Sequence, residues 1–246
     1  MKSFKPRASS VGKYMACPAR LYYDRTDPQP VEHFRNKYMS FGTIVHYEIQ
    51  KRLGCIGMEE PANEDYIEAE PMLGRAADAT AMGYDEIAKA YPGVAWNAEQ
   101  EWKGEGLTGH TDLVSTDGRV CVDIKTTTKP PARGQVAVEH YWQLLAYHLL
   151  TGCTEARVLY VSSKAEWVSL SDSIEFASTG PARDLVQLSD NLRGDHTTVV
   201  YGSACTGCPH VAKCRDAAIP RYPKPREAAP FSGGAALAAL AALRGA

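Results

Sequence analysis

The hydrophobic residues of this chain repeat with helical spacing in several separate stretches. They predict helices over 9–23, 41–53, 78–91, 139–150 and 181–192. Ser9 and Ser10 are suited to cap the first helix, and Gly54 is suited to end the second. The second helix places His46 in a largely apolar stretch.

Between the helical stretches the pattern alternates with a period of two, which is typical of β-strands. The alternating runs predict strands over 95–103, 107–116, 119–126, 156–162 and 166–170. The order is a three-stranded meander, a crossover helix and then more strand. This order favours an α/β fold with a mixed central β-sheet and flanking helices.

Composition limits the functions that remain. The chain has 246 residues, of which 44% are hydrophobic, which is enough to close a core in one domain. Its formal net charge of -2 gives no argument for nucleic-acid binding, so such a function must depend on local patches. Residues 59–70 are strongly acidic, and we expect them to face solvent, away from any nucleic acid, because they would repel phosphate.

The ends of the chain carry less information. No apolar run approaches the ~18 residues of a membrane helix, and the N-terminus lacks the apolar stretch of a secretory signal, which predicts a cytoplasmic protein. We expect residues 1–220 to form one domain and residues 221–246, rich in proline and alanine, to form a tail. The seven cysteines are then expected to be thiols or metal ligands.

The segment around Asp117-Gly118 predicts a hairpin that brings charged residues together. A two-residue turn with positive φ at both positions pairs Thr116 with Arg119, and this register sets Asp112 opposite Asp123. Lys125 shares their face because strand side chains alternate.

Two opposed carboxylates ~5 Å apart repel each other by roughly 3 kcal/mol at an effective dielectric of ~20. A bound Mg²⁺ or Mn²⁺ would remove this repulsion, and Lys125 could orient or deprotonate a water or neutralise phosphate charge. The alternative is a solvated sheet face on which both acids pair with surface cations. The apolar flanks, such as Val122 and Ile124, argue against it because buried charges are costly.

These residues resemble the P-D-(D/E)-x-K nuclease superfamily. Asp112 and Asp123-Ile124-Lys125 look like its core motif. The segments Gly42 to His46 and Gln143 to Tyr147 are similar to the Gly-x-x-x-His and Gln-x-x-x-Tyr motifs of the RecB-like branch. The resemblance implies a restriction-endonuclease-like core. Asp123 departs from the branch, which more often has Glu there.

The resemblance also implies roles for these residues. His46, Asp112 and Asp123 would bind metal, with the Ile124 carbonyl as a further ligand, and Lys125 would serve the attacking water. Gln143 and Tyr147 would contact or position the substrate. Each helix motif alone is weak evidence for the family. The evidence comes from the occurrence of all the motifs together in the expected order.

Three late cysteines form a C-x₂-C-x₅-C pattern at Cys205, Cys208 and Cys214, so one ligand is missing. The pattern is similar to that of RecB-like exonucleases in which one early cysteine, here Cys17, completes a [4Fe–4S] cluster. Such a cluster would join the N- and C-terminal segments. Four thiolates also bind Zn²⁺, and a zinc site that uses His210 is a second alternative.

The resemblance to CRISPR-associated RecB-like exonucleases, including stand-alone phage forms, implies a function. We expect a Mg²⁺- or Mn²⁺-dependent DNA exonuclease acting on single-stranded ends in recombination, repair or phage DNA metabolism. The alternative is a catalytically silent scaffold that binds DNA ends or a partner. The partners expected besides DNA are a second copy of the chain or a recombination protein.

Two groups of residues are expected to contact the DNA. Lys129 and Arg133 would add positive charge beside the metal, and an aromatic and basic rim for the strand is expected from Tyr14, Arg20, Tyr22, Tyr23 and Arg25.

Overall fold

The fold comes from a computed structural model that describes residues 5–27, 36–104, 106–176, 179–193, 205 and 208–216. Its α-helices are α1 (Val11–Ala16), α2 (Pro18–Thr26), α3 (Lys37–Arg52), α4 (Asn63–Glu68), α5 (Leu73–Ala90), α6 (Val138–Thr151), α7 (Thr179–Arg193) and α8 (Val211–Asp216). Its strands are β1 (Trp96–Lys103), β2 (Thr108–Ser115), β3 (Val120–Thr127), β4 (Glu155–Ser162), β5 (Val168–Leu170) and β6 (Ile174–Glu175).

The six strands form one mixed sheet. The strand order is β1-β2-β3-β4-β5, and β6 pairs with the other end of β4. All neighbours are antiparallel except β3 and β4, which run parallel and are therefore connected by a crossover through α6. The predicted α/β class with a mixed central sheet is confirmed.

Helices cover both faces of this sheet. On one face, residues such as Leu144 of α6 and Leu188 of α7 are fully buried in a core with Val158 of β4. On the other face, Ile49 of α3 and Ile87 of α5 pack against the sheet. Both faces of β3 are consequently buried, which explains its nearly continuous apolar pattern.

The β2–β3 hairpin has the predicted register but a different turn. Leu113 pairs with Val122 and Val114 pairs with Cys121, as expected. The strands end at Ser115 and Val120, and Gly118 has a φ of 73°, whereas Asp117 is not in the positive-φ region. The predicted two-residue turn is wrong because the Asp117 carboxylate stabilises a longer loop: it accepts hydrogen bonds from the Ser115 hydroxyl (2.6 Å) and the Arg119 backbone N–H (3.1 Å).

The first predicted helix is interrupted. Cys17 adopts an extended conformation (φ -149°, ψ 95°) between α1 and α2. Pro18 explains the break, because a proline disfavours helical geometry in the residue before it and is well suited to begin a new helix. Cys17 therefore lies at a junction of two helices and not within one.

Further differences concern element boundaries and short elements: α5 begins at Leu73, earlier than predicted, and α4 was not predicted. Helix α3 begins at Lys37, earlier than predicted, because the Asn36 side chain caps it by accepting hydrogen bonds from the Tyr38 and Met39 backbone N–H groups (3.0 and 3.1 Å). The short strand β6 was not predicted.

The proposed tail, residues 221–246, lies outside the described residues. Within the described part of the chain, no helix is both long and apolar enough to cross a membrane.

Candidate active site

Asp123 and Lys125 lie in the middle strand region of the sheet and form an ion pair. Lys125 Nζ is 2.7 Å from Asp123 Oδ2, and Asp123 is completely buried. Burial raises the pKa of Asp123 above its ordinary value, against the attraction of Lys125. For Lys125, burial alone would lower the pKa, but Asp123 and Asp112 outweigh it and the pKa is raised. The ammonium is therefore charged at neutral pH.

The two residues of the Gln-x-x-x-Tyr motif hold Asp123 in place. The Gln143 amide donates to Asp123 Oδ1 (3.0 Å) and to the Tyr147 hydroxyl (2.6 Å), and Tyr147 donates to the His110 carbonyl (2.6 Å). Gln143 and Tyr147 are 4% and 2% exposed. These contacts favour positioning of Asp123 and the β2 backbone over direct contact with a substrate.

Asp112 approaches β3 through its side chain. Its Oδ2 accepts a hydrogen bond from the Ile124 backbone N–H (2.6 Å) and lies 3.6 Å from His46 Nδ1 of α3. Burial raises the pKa of Asp112. Burial, followed by repulsion from Lys125, lowers the pKa of His46 to about 4, so its imidazole is neutral at pH 7 and keeps a lone pair for a metal ion.

Gln50 and Glu99 also lie beside Asp112, although the sequence did not predict them as site residues. The buried Gln50 amide donates to Glu99 Oε1 (2.8 Å) and to the Asp112 carbonyl (3.0 Å). Glu99 has a φ of 49°, an uncommon conformation for a residue other than glycine. Gln50 follows His46 by one helical turn, which was an available signal. The backbone conformation of Glu99 had no signal in the sequence.

A cavity of about 830 Å³ opens beside His46 and Asp112. Glu59 and Glu60 also line it, together with Asp65. The glutamates of the acidic segment are exposed, as expected, but Glu59 and Glu60 bring the segment next to the candidate site. The segment is held over α3 because the Ser40 hydroxyl donates to the buried carboxylate of Asp65 (3.0 Å).

The donor set fits a hard divalent cation. Asp123 Oδ2 is buried and, among the described residues, makes no hydrogen bond of acceptable geometry, although the Lys125 ammonium lies beside it. Carboxylate oxygens with a neutral imidazole are common ligands of such ions. Within the part of the chain that the structure describes, no three His, Cys, Asp or Glu side chains are grouped closely enough to hold an ion.

Two of the four cysteines of the predicted cluster lie together in the structure. Cys17 and Cys214 are buried in one small cluster with Ala19. Burial raises the pKa of Cys214, and charge repulsion from Cys17, Cys208 and Cys205 raises it further. His210 is oriented by Asp24, whose Oδ1 is 2.7 Å from His210 Nε2.

The predicted aromatic and basic rim is only partly available. Tyr14 is buried in the core, so its inclusion in a DNA-binding rim is wrong. Tyr23 stacks on His210 with ring centroids 5.4 Å apart, and Arg25 donates to the Leu192 carbonyl of α7. These residues join α2 to the C-terminal elements.

A mixed sheet that carries a buried Asp and Lys beside an Asp and a His is typical of the restriction-endonuclease-like fold class. The PD-(D/E)XK nuclease superfamily profile matches residues 8–215. The chain belongs to this superfamily, and the resemblance found in the sequence is confirmed.

Solved structures with similarity to the chain include three proteins. One is SSO0001 (14% identity, TM-score 0.37, covering 80% of this chain and 93% of that one). Another is a phage-related exonuclease from Haemophilus somnus 129PT (11% identity, TM-score 0.39, 79% and 94% covered). The third is the alkaline exonuclease LHK-Exo from Laribacter hongkongensis (13% identity, TM-score 0.37, 76% and 86% covered). Because these likenesses are low, the assignment depends on the superfamily match. No curated protein matches the chain.

Proposed function

We propose that the protein is a metal-dependent deoxyribonuclease that hydrolyses phosphodiester bonds at single-stranded DNA ends. The observation that carries the proposal is the buried Asp123–Lys125 pair, positioned by Gln143 next to Asp112. A buried charge pair is costly, and one that only stabilised the fold could be replaced by apolar residues. The buried charge pair is explained if it takes part in a reaction on a charged substrate.

The residues divide the work in a definite way. His46, Asp112, Asp123 and the Ile124 carbonyl would hold Mg²⁺ or Mn²⁺, which supplies Lewis acidity and lowers the pKa of a bound water. Lys125 neutralises charge on the scissile phosphate, since its raised pKa makes it a poor acceptor of protons. Gln143 and Tyr147 keep Asp123 Oδ1 fixed, which leaves Oδ2 to face the ion and Lys125.

The acidic wall of the cavity supports action at strand ends. Glu59 and Glu60 line the same cavity as His46 and Asp112. A phosphate backbone that continued past the site on this side would meet these carboxylates, and like charges repel. A strand that ends at the site avoids this repulsion.

We further propose that Cys17, Cys205, Cys208 and Cys214 bind a [4Fe–4S] cluster, with Zn²⁺ as the alternative. The proposal is supported by the burial of Cys17 and Cys214 in one small cluster and by the chemistry of thiolates, which bind both iron–sulfur clusters and zinc. The cluster would join the two ends of one domain formed by residues 1–220.

The alternative function is a silent scaffold of the same fold that binds DNA ends or a partner. Such a scaffold has no need for Asp112, Asp123 and Lys125 together. Their joint presence, with the contacts that position Asp123, favours an enzyme.

The experiment is cleavage of 5′- and 3′-labelled single- and double-stranded DNA with Mg²⁺, Mn²⁺ or EDTA. Asp123→Asn and Lys125→Ala should each abolish cleavage, whereas Asp85→Asn, an exposed residue of α5, should behave as wild type. Wild-type activity in Asp123→Asn would assign the cleavage to another site. Binding of DNA ends without cleavage by the wild type would favour the scaffold.

A further inference from the structure

His140 lies beside the site without a role in the scheme above. It is on α6, one turn before Gln143, and its ring packs against Tyr160 of β4 with centroids 5.6 Å apart. Tyr160 pairs with Lys125 in the parallel register of β3 and β4, so the two side chains are neighbours on one face of the sheet. The imidazole is close enough to Lys125 and Asp123 for both charges to act on its pKa.

The hydrogen bonds of Tyr160 fix the tautomer of His140. The Ala137 backbone N–H donates to the Tyr160 hydroxyl oxygen (3.0 Å), and this oxygen lies 2.9 Å from His140 Nδ1. Among the described residues, the hydroxyl has no other hydrogen-bond partner. If Nδ1 were the donor, the proton of a hydroxyl on a residue only 2% exposed would have no acceptor, at a cost of about 1–3 kcal/mol.

The hydroxyl therefore donates to Nδ1, and Nε2 of the neutral imidazole carries the proton. Burial and the charge of Lys125 lower the pKa of His140, which keeps the ring neutral. Nε2 is at the opposite edge of the ring from Tyr160 and has no hydrogen-bond partner within the described residues. A half-buried N–H donor of fixed direction is thus available on the face of the sheet that carries Lys125.

We propose that His140 is a further substrate-binding residue, whose Nε2–H donates a hydrogen bond to a phosphate oxygen of the strand held beside Lys125, and that Tyr160 positions it by fixing its tautomer. A neutral donor suits this place because a second cation next to Lys125 would be repelled. Since Nε2 already carries the proton, it cannot take one from water. The proposal rests on the proposed nuclease function.

The kinetic test compares His140→Ala, His140→Gln and the control Val138→Ala, an exposed residue at the start of the same helix. A lost hydrogen bond to a charged group should raise the KM for DNA about 10-fold or more in His140→Ala, with kcat changed less than KM. His140→Gln, which keeps an N–H donor, should recover part of this loss, and Val138→Ala should match wild type. Thermal unfolding of each variant checks the fold.

The positioning role of Tyr160 is tested with a double-mutant cycle. Tyr160→Phe should raise KM less than His140→Ala, and the double variant should be no worse than His140→Ala alone, because Tyr160 acts through His140. Long-range ¹H–¹⁵N spectra should show the Nε2–H tautomer of His140 in wild type and its loss in Tyr160→Phe. Additive effects on KM, or an unchanged tautomer, would overturn this role.

The outcomes separate this proposal from the function it rests on. An unchanged KM in His140→Ala, with Asp123→Asn inactive, overturns the role of His140 and leaves the nuclease intact. If wild type does not cleave DNA, the proposed nuclease function is wrong. Fluorescence anisotropy of labelled single-stranded DNA with Ca²⁺ then still tests the hydrogen bond from His140 to a phosphate oxygen. If wild type and His140→Ala bind the DNA with equal affinity, or if neither binds it, the proposed His140–phosphate contact is wrong.

Discussion

At the scale of single residues, Asp123 has the most specific surroundings. One carboxylate oxygen accepts from Gln143 and the other faces the Lys125 ammonium. The Gln143 amide uses its two protons on Asp123 and Tyr147, so its orientation is determined. In a buried network of this kind, a polar group that loses its partner is costly because the local dielectric is low.

Replacing Gln143 should therefore impair the site without contact to the substrate. Gln143→Ala frees Asp123 Oδ1 and should lower activity by about 10- to 100-fold, mainly through weaker binding of Mn²⁺. Isothermal titration calorimetry measures the affinity for Mn²⁺. The matched control is Gln187→Ala, because Gln187 is an exposed residue of α7. A tenfold loss of activity with unchanged Mn²⁺ affinity would contradict the positioning role.

At the scale of elements, the contact between α3 and β3 depends on Gly42. A Cβ atom at this position would lie 2.9 Å from Thr126 Oγ1, closer than real Cβ atoms approach such neighbours. Thr126 directly follows Lys125, so the glycine of the Gly-x-x-x-His motif lets the helix that carries His46 lie close to the strand that carries Lys125. The motif is explained by this approach.

Substitution of Gly42 tests the contact. Gly42→Ala should lower Tm by about 2–10 °C, because overpacking costs about 1–3 kcal/mol and Thr126 is stiff at χ1. In the background of Thr126→Ala the same substitution should be neutral or stabilising, since alanine favours a helix over glycine. If Gly42→Ala lowers Tm equally in both backgrounds, the contact with Thr126 is not the cause.

The elements were largely predictable from the sequence because hydrophobic period and turn residues act locally. The meander of the first three strands and the β2–β3 register followed from the alternating runs and Asp117-Gly118. The location of the acidic segment was not predictable, since it depends on the contact between Ser40 and Asp65, which are distant in sequence. The tautomer of His140 likewise depends on Tyr160, which only the crossover brings near.

At the scale of the whole molecule, contacts near the cysteines join the two ends of the described chain. Cys17 lies at the α1–α2 junction and Cys214 in α8, and both are buried in the same cluster. Asp24 and His210 add a contact between residues 186 positions apart. Closing so long a loop restricts the unfolded chain, so a metal bound here stabilises the whole domain.

The proposed cysteine metal centre makes a definite analytical prediction. Protein purified without oxygen should contain iron and sulfide and be brown, with the visible absorbance of an iron–sulfur protein. Cys208→Ala should lose this absorbance and unfold at lower temperature, whereas Cys55→Ala, a buried residue of the opposite core, should keep it. A colourless protein with one zinc per chain would replace the cluster by a four-thiol zinc site.

The hydrogen bond from the Ile124 N–H to Asp112 Oδ2 has a consequence for spectroscopy. The carboxylate that would bind the ion is also the acceptor for one backbone amide of β3. An arriving ion competes with this amide for the same oxygen. The Ile124 amide proton is thus an internal reporter, whose chemical shift and exchange rate should follow ion occupancy without any added probe.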